Sequence, residues 1–263
     1  MEGRVVDSET GIMPRSRSRR ILVLAGAAAA ILAELVFRVN YSAEFTQFNG
    51  FGLFSVPSPL PGSSTEWFEL MIDSPLVGLV LLDGADIPHY LLISVAFLAV
   101  FLILRNRQPV LSGIALGTVL AGTLLFVVAN PAFRILSLSQ QYLRATDLER
   151  TALLFRGEKL LTAYNPLSLG AHGWADPARF LILLGGLLIS AAMFTSPNFP
   201  RPTMILGLLV NGFALLYYPL LLLAPAYYWL VVPVSAPFRL VWHILLGFNL
   251  FHIAGRSDDD QET

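Results

Sequence analysis

"HYLLISVAFLAVFLILRNRQPVLSGIALGTVLAGTLLFVVAN", residues 89–130, contains two apolar runs with no charged residue in either, joined by the polar link Arg105–Pro109. A helix rising 1.5 Å per residue needs about 20 mostly apolar residues to cross a bilayer. The second run, 110–129, is that long, the first reaches 18 residues when it is taken from Ile87, and in hydrocarbon only a helix satisfies its own backbone. The stretch therefore reads as two membrane-crossing helices connected by a short turn. The same test applied along the chain gives six spans, near residues 21–37, 87–104, 110–129, 178–195, 203–223 and 235–254. The expected fold is all-α, a polytopic transmembrane helix bundle formed by one membrane domain over residues 21–254. A disordered basic tail (1–20) precedes it and an acidic tail (255–263) follows.

Composition agrees. Of 263 residues, 55% are hydrophobic and only 13% charged, where soluble domains carry about 25% charged residues. A net charge of −1 supplies no basic field for nucleic acid, so the bilayer is the expected partner. Cysteine is absent, which removes disulfides, thiolate metal sites and a cysteine nucleophile. Nothing in the sequence calls for a cofactor.

Arginine bias sets the expected orientation, with both termini cytoplasmic. That side receives Arg4, Arg15, Arg17, Arg19, Arg20, Arg105, Arg107, Arg201 and Arg256, whereas the outer loop 38–86 offers Arg38 against six acids. The second outer loop, 130–177, breaks the pattern with Arg134, Arg144, Arg150, Arg156 and Lys159. Long loops obey the rule weakly. The basic leader and first apolar run also have the layout of a signal peptide, but cleavage would leave Arg105 and Arg107 on the wrong side.

Both outer loops carry helical signals. Residues 65–82 read as one interfacial helix capped by Thr65, with Trp67 and Phe68 at the headgroup level. Residues 40–64, rich in Phe, Gly, Pro and Ser, read as an irregular aromatic-anchored segment. Thr146-x-x-Glu149 is a capping box opening a helix to Tyr164, with Leu153, Leu154, Leu160 and Leu161 on its apolar face. That helix is expected to be an amphipathic lid over the outer mouth of the bundle, or an anchor on the headgroups. Two small-residue strips, Gly113/Gly117/Ala121 and Ala25/Ala29/Ala33, mark expected helix contacts.

Placing the polar groups by depth brings four helices to one level. Glu34 lies near the outer end of the first span, and Asp83, Asp86 and His89 lie at the mouth of the second. Asn130 closes the third, and Arg239 and His243 share a face of the sixth. A lone charge in hydrocarbon is costly, so these groups must meet partners. A Glu34–Arg239 pair is expected, with Asp86 competing for the arginine. The set reads in three ways: a structural ion-pair network, a pocket for a small molecule or lipid headgroup, or a catalytic or metal site. Asp86, His89 and His243 are the candidate metal ligands of the last. No H-E-x-x-H, G-x-S-x-G or Walker motif supports catalysis.

The segments "ATDLER" and "GEKLLTAYN", through Ala145, Thr146, Asp147, Arg150, Gly157, Glu158, Tyr164 and Asn165, resemble a family of uncharacterised bacterial multi-pass membrane proteins. The resemblance covers roughly residues 80–254, implies a multi-helix integral membrane protein and brings no established activity; the setting expected for the whole chain is a bacterial inner (plasma) membrane. Together these readings favour a non-catalytic membrane component that binds a lipid, small molecule or protein partner at its outer face. A small-molecule or ion transporter and a membrane hydrolase or metalloenzyme are the alternatives.

Overall fold

The computed structural model describes residues 17–44, 57, 59–164 and 175–259. Among these there is no strand. Eleven helices follow in order: α1 Arg17–Glu44, α2 Ser64–Asp73, α3 Pro75–Leu81, α4 Asp86–Leu104, α5 Pro109–Ala129, α6 Ala132–Arg144, α7 Asp147–Tyr164, α8 Ala175–Met193, α9 Arg201–Leu215, α10 Tyr217–Leu223 and α11 Val231–Asp259. Six stretches are long and apolar enough to cross a membrane, in α1, α4, α5 with α6, α8, α9 with α10, and α11. The protein is an all-α polytopic membrane bundle.

α1 packs against α4 and α11, α5 against α8 and α4, and α8 and α11 against α9. Arg19, in the first turn of α1, donates to the carbonyl of Leu102 near the end of α4 at 2.7 Å, which fixes the two helices antiparallel. Val23, Leu104 and Ala254 share one apolar core, so α1 begins and α11 ends at the Arg105–Arg107 end of the bundle. At the opposite end α2, α3, α6 and α7 form a cap. The cap has its own core of Trp67, Phe68, Met71, Leu82, Ile135, Leu138, Leu153 and Leu161.

Small residues let the crossing helices approach, but not in the register the sequence suggests. Gly117 has no neighbour within 4 Å of where a β-carbon would stand, and Ala121 is exposed. The adjacent face of α5 makes the contact. A β-carbon at Gly122 would lie 2.7 Å from the carbonyl of Ala178, and Gly185 of α8 is closed off by Val119 and Ala115. On α1, Ala29 and Ala33 are buried as expected, while Ala25 faces outward and Gly26 takes its place against Ala99. A strip at spacing four recurs on several faces of one helix, and only the partner's shape selects among them.

The cap departs further from expectation. The helix anticipated over 65–82 is broken at Ser74–Pro75 into α2 and α3, because proline lacks an N–H and disfavours helical geometry in the residue before it. Its cap is Ser63, whose hydroxyl accepts from Glu66 N at 3.3 Å; Thr65 sits inside the first turn. Trp67 and Phe68 are not at an interface but buried, 3% and 0% exposed. Helix α6 was not anticipated; Ile135, Leu138 and Ser139 form its buried face. Helix α7 opens at the expected capping box with one half of it formed: the Glu149 carboxylate accepts from Thr146 N at 2.8 Å, while the Thr146 hydroxyl donates to the same carboxylate at 2.8 Å rather than accepting from the Glu149 amide. It packs on α2 and α6, with Gly157 pressed on the Phe68 ring.

Some boundaries also move. Helix α1 starts at Arg17, inside the stretch read as a tail, and continues beyond residue 37, so no local thinning of the bilayer is needed. The fifth crossing breaks at Leu216, where Pro219 would collide with the preceding turn. Most of the aromatic loop 40–64, His172, Trp174 and the Asn165-Pro166 stop signal lie outside the described residues.

Candidate functional site: two charge knots and an open elbow

The seven residues singled out from the sequence all lie at the capped end, where they divide into two knots. The first joins α1, α4 and α11. Glu34, 1% exposed, points from α1 into the bundle. His243 Nδ1 donates to its Oε2 at 3.0 Å, and Arg239 Nε stands 4.0 Å from the same oxygen. The anticipated Glu34–Arg239 pair therefore exists, but the histidine one turn deeper is the nearer partner. Arg239 also stacks its guanidinium on the Phe37 ring, 3.1 Å from the centroid, a cation–π contact that offsets lost hydration. His89 donates from Nδ1 to the carbonyl of Ala33 at 2.8 Å, one residue before Glu34. Its ring packs 6.4 Å from that of His243.

The second knot joins the α3–α4 turn to α8. Arg179 Nη2 lies 2.5 Å from Asp83 Oδ2 and 3.4 Å from Asp86 Oδ2. Asp86, expected to compete for Arg239, is thus held by Arg179. The same guanidinium faces the Phe126 ring at 5.4 Å. Asp83 has φ 55°, the left-handed region that aspartate enters more easily than most residues. That conformation reverses the chain between α3 and α4. Asn130 latches the turn by donating to Leu82 O at 3.0 Å, while its Oδ1 accepts from Ala132 N at 2.9 Å and so starts α6. Tyr90, on α4 between the knots, packs on His89 at 5.1 Å and on Phe126 at 4.8 Å.

Arg179 was missed in the sequence. It opens the fourth span from the same end as the other polar groups, so the depth argument that collected them should have collected it too. The metal reading gathers no ligand set. Among the described residues no group of three or more His, Cys, Asp or Glu could hold a metal ion. His89 Nδ1 is spent on a backbone carbonyl, and the Asp86 carboxylate is held by Arg179.

Deeper in the bundle the polar groups are closed rather than aligned along a passage. Ser190 Oγ donates to Gly186 O at 2.7 Å, Asn211 Nδ2 to Gly207 O at 2.8 Å, and Asn249 Nδ2 to Thr203 Oγ1 at 2.6 Å. The side chains of Asn211 and Trp242 pack too tightly on Gly186 and Gly207 to admit another carbon.

The edge of the cap holds an open groove. Where α6 turns into α7, a groove of about 390 Å³ is lined by Gln141, Arg144, Glu149, Ala152, Leu153 and Arg156. The hydrogen bonds from Thr146 hold the Glu149 carboxyl below the usual carboxylate range. The chain matches no protein-family model, no curated protein and no solved structure.

Proposed function

We propose that this is a non-catalytic component of a bacterial inner (plasma) membrane, binding a lipid, small molecule or protein partner at its capped end. The arginine distribution turns that end outward and keeps both termini in the cytoplasm. Membership of the bacterial multi-pass family that roughly residues 80–254 resemble belongs to the same proposal.

The observation that carries the reading is a contrast in employment. The buried acids and histidines are occupied in joining helices, which suits anchoring rather than turnover. The α6–α7 groove is open and lined by polar groups. A transporter needs a polar route through the bundle, and the bonded, glycine-packed column of Ser190, Asn211 and Asn249 favours packing instead.

A photo-crosslinking amino acid at Ala152, in the groove wall, tests the reading in native membranes. The expected outcome is a discrete adduct from that position and none from Gln108 at the opposite end. Illumination that gives no adduct from Ala152, or equal adducts from both positions, overturns it.

A further inference from the structure

The basic residues of loop 130–177 run against the bias that orients the chain, and the structure accounts for three of the five. Arg134 Nη2 donates to the carbonyls of Val128, Ala129 and Asn130 at 3.2, 3.0 and 3.4 Å, closing the C-terminus of α5. Arg150 lies over the Tyr142 ring at 5.3 Å and 3.7 Å from Asp147. Lys159 lies over the Phe155 ring at 4.6 Å. Arg144 and Arg156 have neither a hydrogen bond nor an ion pair among the described residues, and these are the two guanidinium groups that line the groove.

Their positions follow from the helices. Arg144 ends α6, on the wall that also carries Gln141. Glu149, Ala152 and Arg156 follow at spacings of three and four on α7, so they share its facing side. Glu149, whose Oε2 accepts two bonds from Thr146, brings one negative charge to the groove against two guanidinium groups, so the lining keeps a net positive charge. What remains is a concave site with one forked donor on each helix and the Gln141 amide on the Arg144 wall. A guanidinium matches the oxygens of a phosphate in two parallel bonds, and two of them fix one anion from both sides. The same two helices carry exposed apolar side chains: Leu143 on α6 is 50% exposed, and Leu148 and Phe155 on α7 are 85% and 62%. Such residues suit acyl chains and glycerol rather than water.

The geometry points to a binding site for the phosphate of an anionic phospholipid at the α6–α7 elbow, gripped by Arg144 and Arg156. The assignment rests on the binding role proposed above and gives it a ligand class. It also explains why an outward loop carries basic residues: they answer a ligand rather than the orientation rule.

The full chain, reconstituted in phosphatidylcholine discs with and without an equal part of phosphatidylglycerol, is extracted, and its retained lipid is counted by native mass spectrometry. Wild type should retain phosphatidylglycerol above its share of the bilayer, and less of it as salt rises, since exposed charge pairs are screened. The Arg144→Gln/Arg156→Gln variant should lose about tenfold in retention, the scale of a charge-assisted bond removed. Both side chains are exposed, so its thermal unfolding should match wild type. The Arg105→Gln/Arg107→Gln variant removes the same charge from the other end and should retain lipid normally. Undiminished retention by the groove variant, or equal loss in the control, overturns the site. Full displacement of the lipid by inorganic phosphate at equal concentration overturns the lipid source and leaves a site for the free anion. An Ala152 adduct that forms regardless of Arg144 and Arg156 sinks this inference alone, whereas no adduct at all sinks the binding role beneath it.

Discussion

The two knots lie at one end of the bundle and are made of the same materials, carboxylates and a single arginine, yet they are built differently. Around Glu34 the carboxylate is 1% exposed, and its partners include a histidine and an arginine stacked on an aromatic ring. Around Arg179 the two carboxylates are 12% and 9% exposed and one guanidinium, 21% exposed, serves both. The two arginines are exposed alike, 22% for Arg239 and 21% for Arg179, so the knots differ in their acids, and those of the second keep a little more contact with water. Glu34 is the acid most fully enclosed, and its charge must be answered inside the protein. The difference teaches that burial, rather than charge count, decides how costly a missing partner is.

Removing the Glu34 charge should therefore have the largest effect. Glu34→Gln leaves Arg239 facing an amide and deprives His243 of its anionic acceptor. Breaking a buried pair from one side costs about 3–5 kcal/mol, and unfolding in detergent micelles, followed by circular dichroism, should register it. The double variant Glu34→Gln/Arg239→Gln should recover part of the loss, because the pair is then removed from both sides rather than broken from one. Arg179→Gln comes next. It leaves Asp83 and Asp86 near each other, but partly in water, so the expected loss is about 1–3 kcal/mol, the scale of bonds to charged groups. A loss at Arg179 as large as that at Glu34 would break the comparison.

Much of this organisation was legible before any coordinates. The six crossings follow from run length, because an uncharged stretch the width of hydrocarbon has few other uses. The depth argument brought Glu34, Asp83, Asp86, His89, Asn130, Arg239 and His243 to one end, since hydrocarbon penalises each alone. Pairing was less legible. Asp86 and Glu34 lie at similar depth, and only the rotation of α4 and α1 decides that Arg179 takes one and His243 the other. Helix rotation also decided the glycines: Gly117 and Gly122 look alike in sequence, but α8 presses on one and leaves the other bare. The cap was least legible. Its elements are short, and Trp67 and Phe68 suit a membrane interface as well as a core; only the arrival of α6 and α7 makes them core.

The smallest expected effect extends the same scale to a carboxylate fully in water. Glu149 holds the start of α7 through Thr146, and those bonds keep its carboxyl below the usual range. A lowered value in the folded chain means that stability is present above the unfolded value, about 4.3, and is lost as pH falls through the folded value. Acid should therefore loosen the first turn of α7 while leaving the two knots intact. Hydrogen exchange, corrected for the intrinsic rate at each pH, should show the Thr146 amide losing protection in acid. Glu149→Gln, which keeps an acceptor but cannot titrate, should abolish that pH dependence. Because the group is exposed, the change should stay local and leave global unfolding unmoved. If acid instead lowered the global midpoint through Glu149, burial would not be what separates these three carboxylate sites, and the difference between the knots would need another cause.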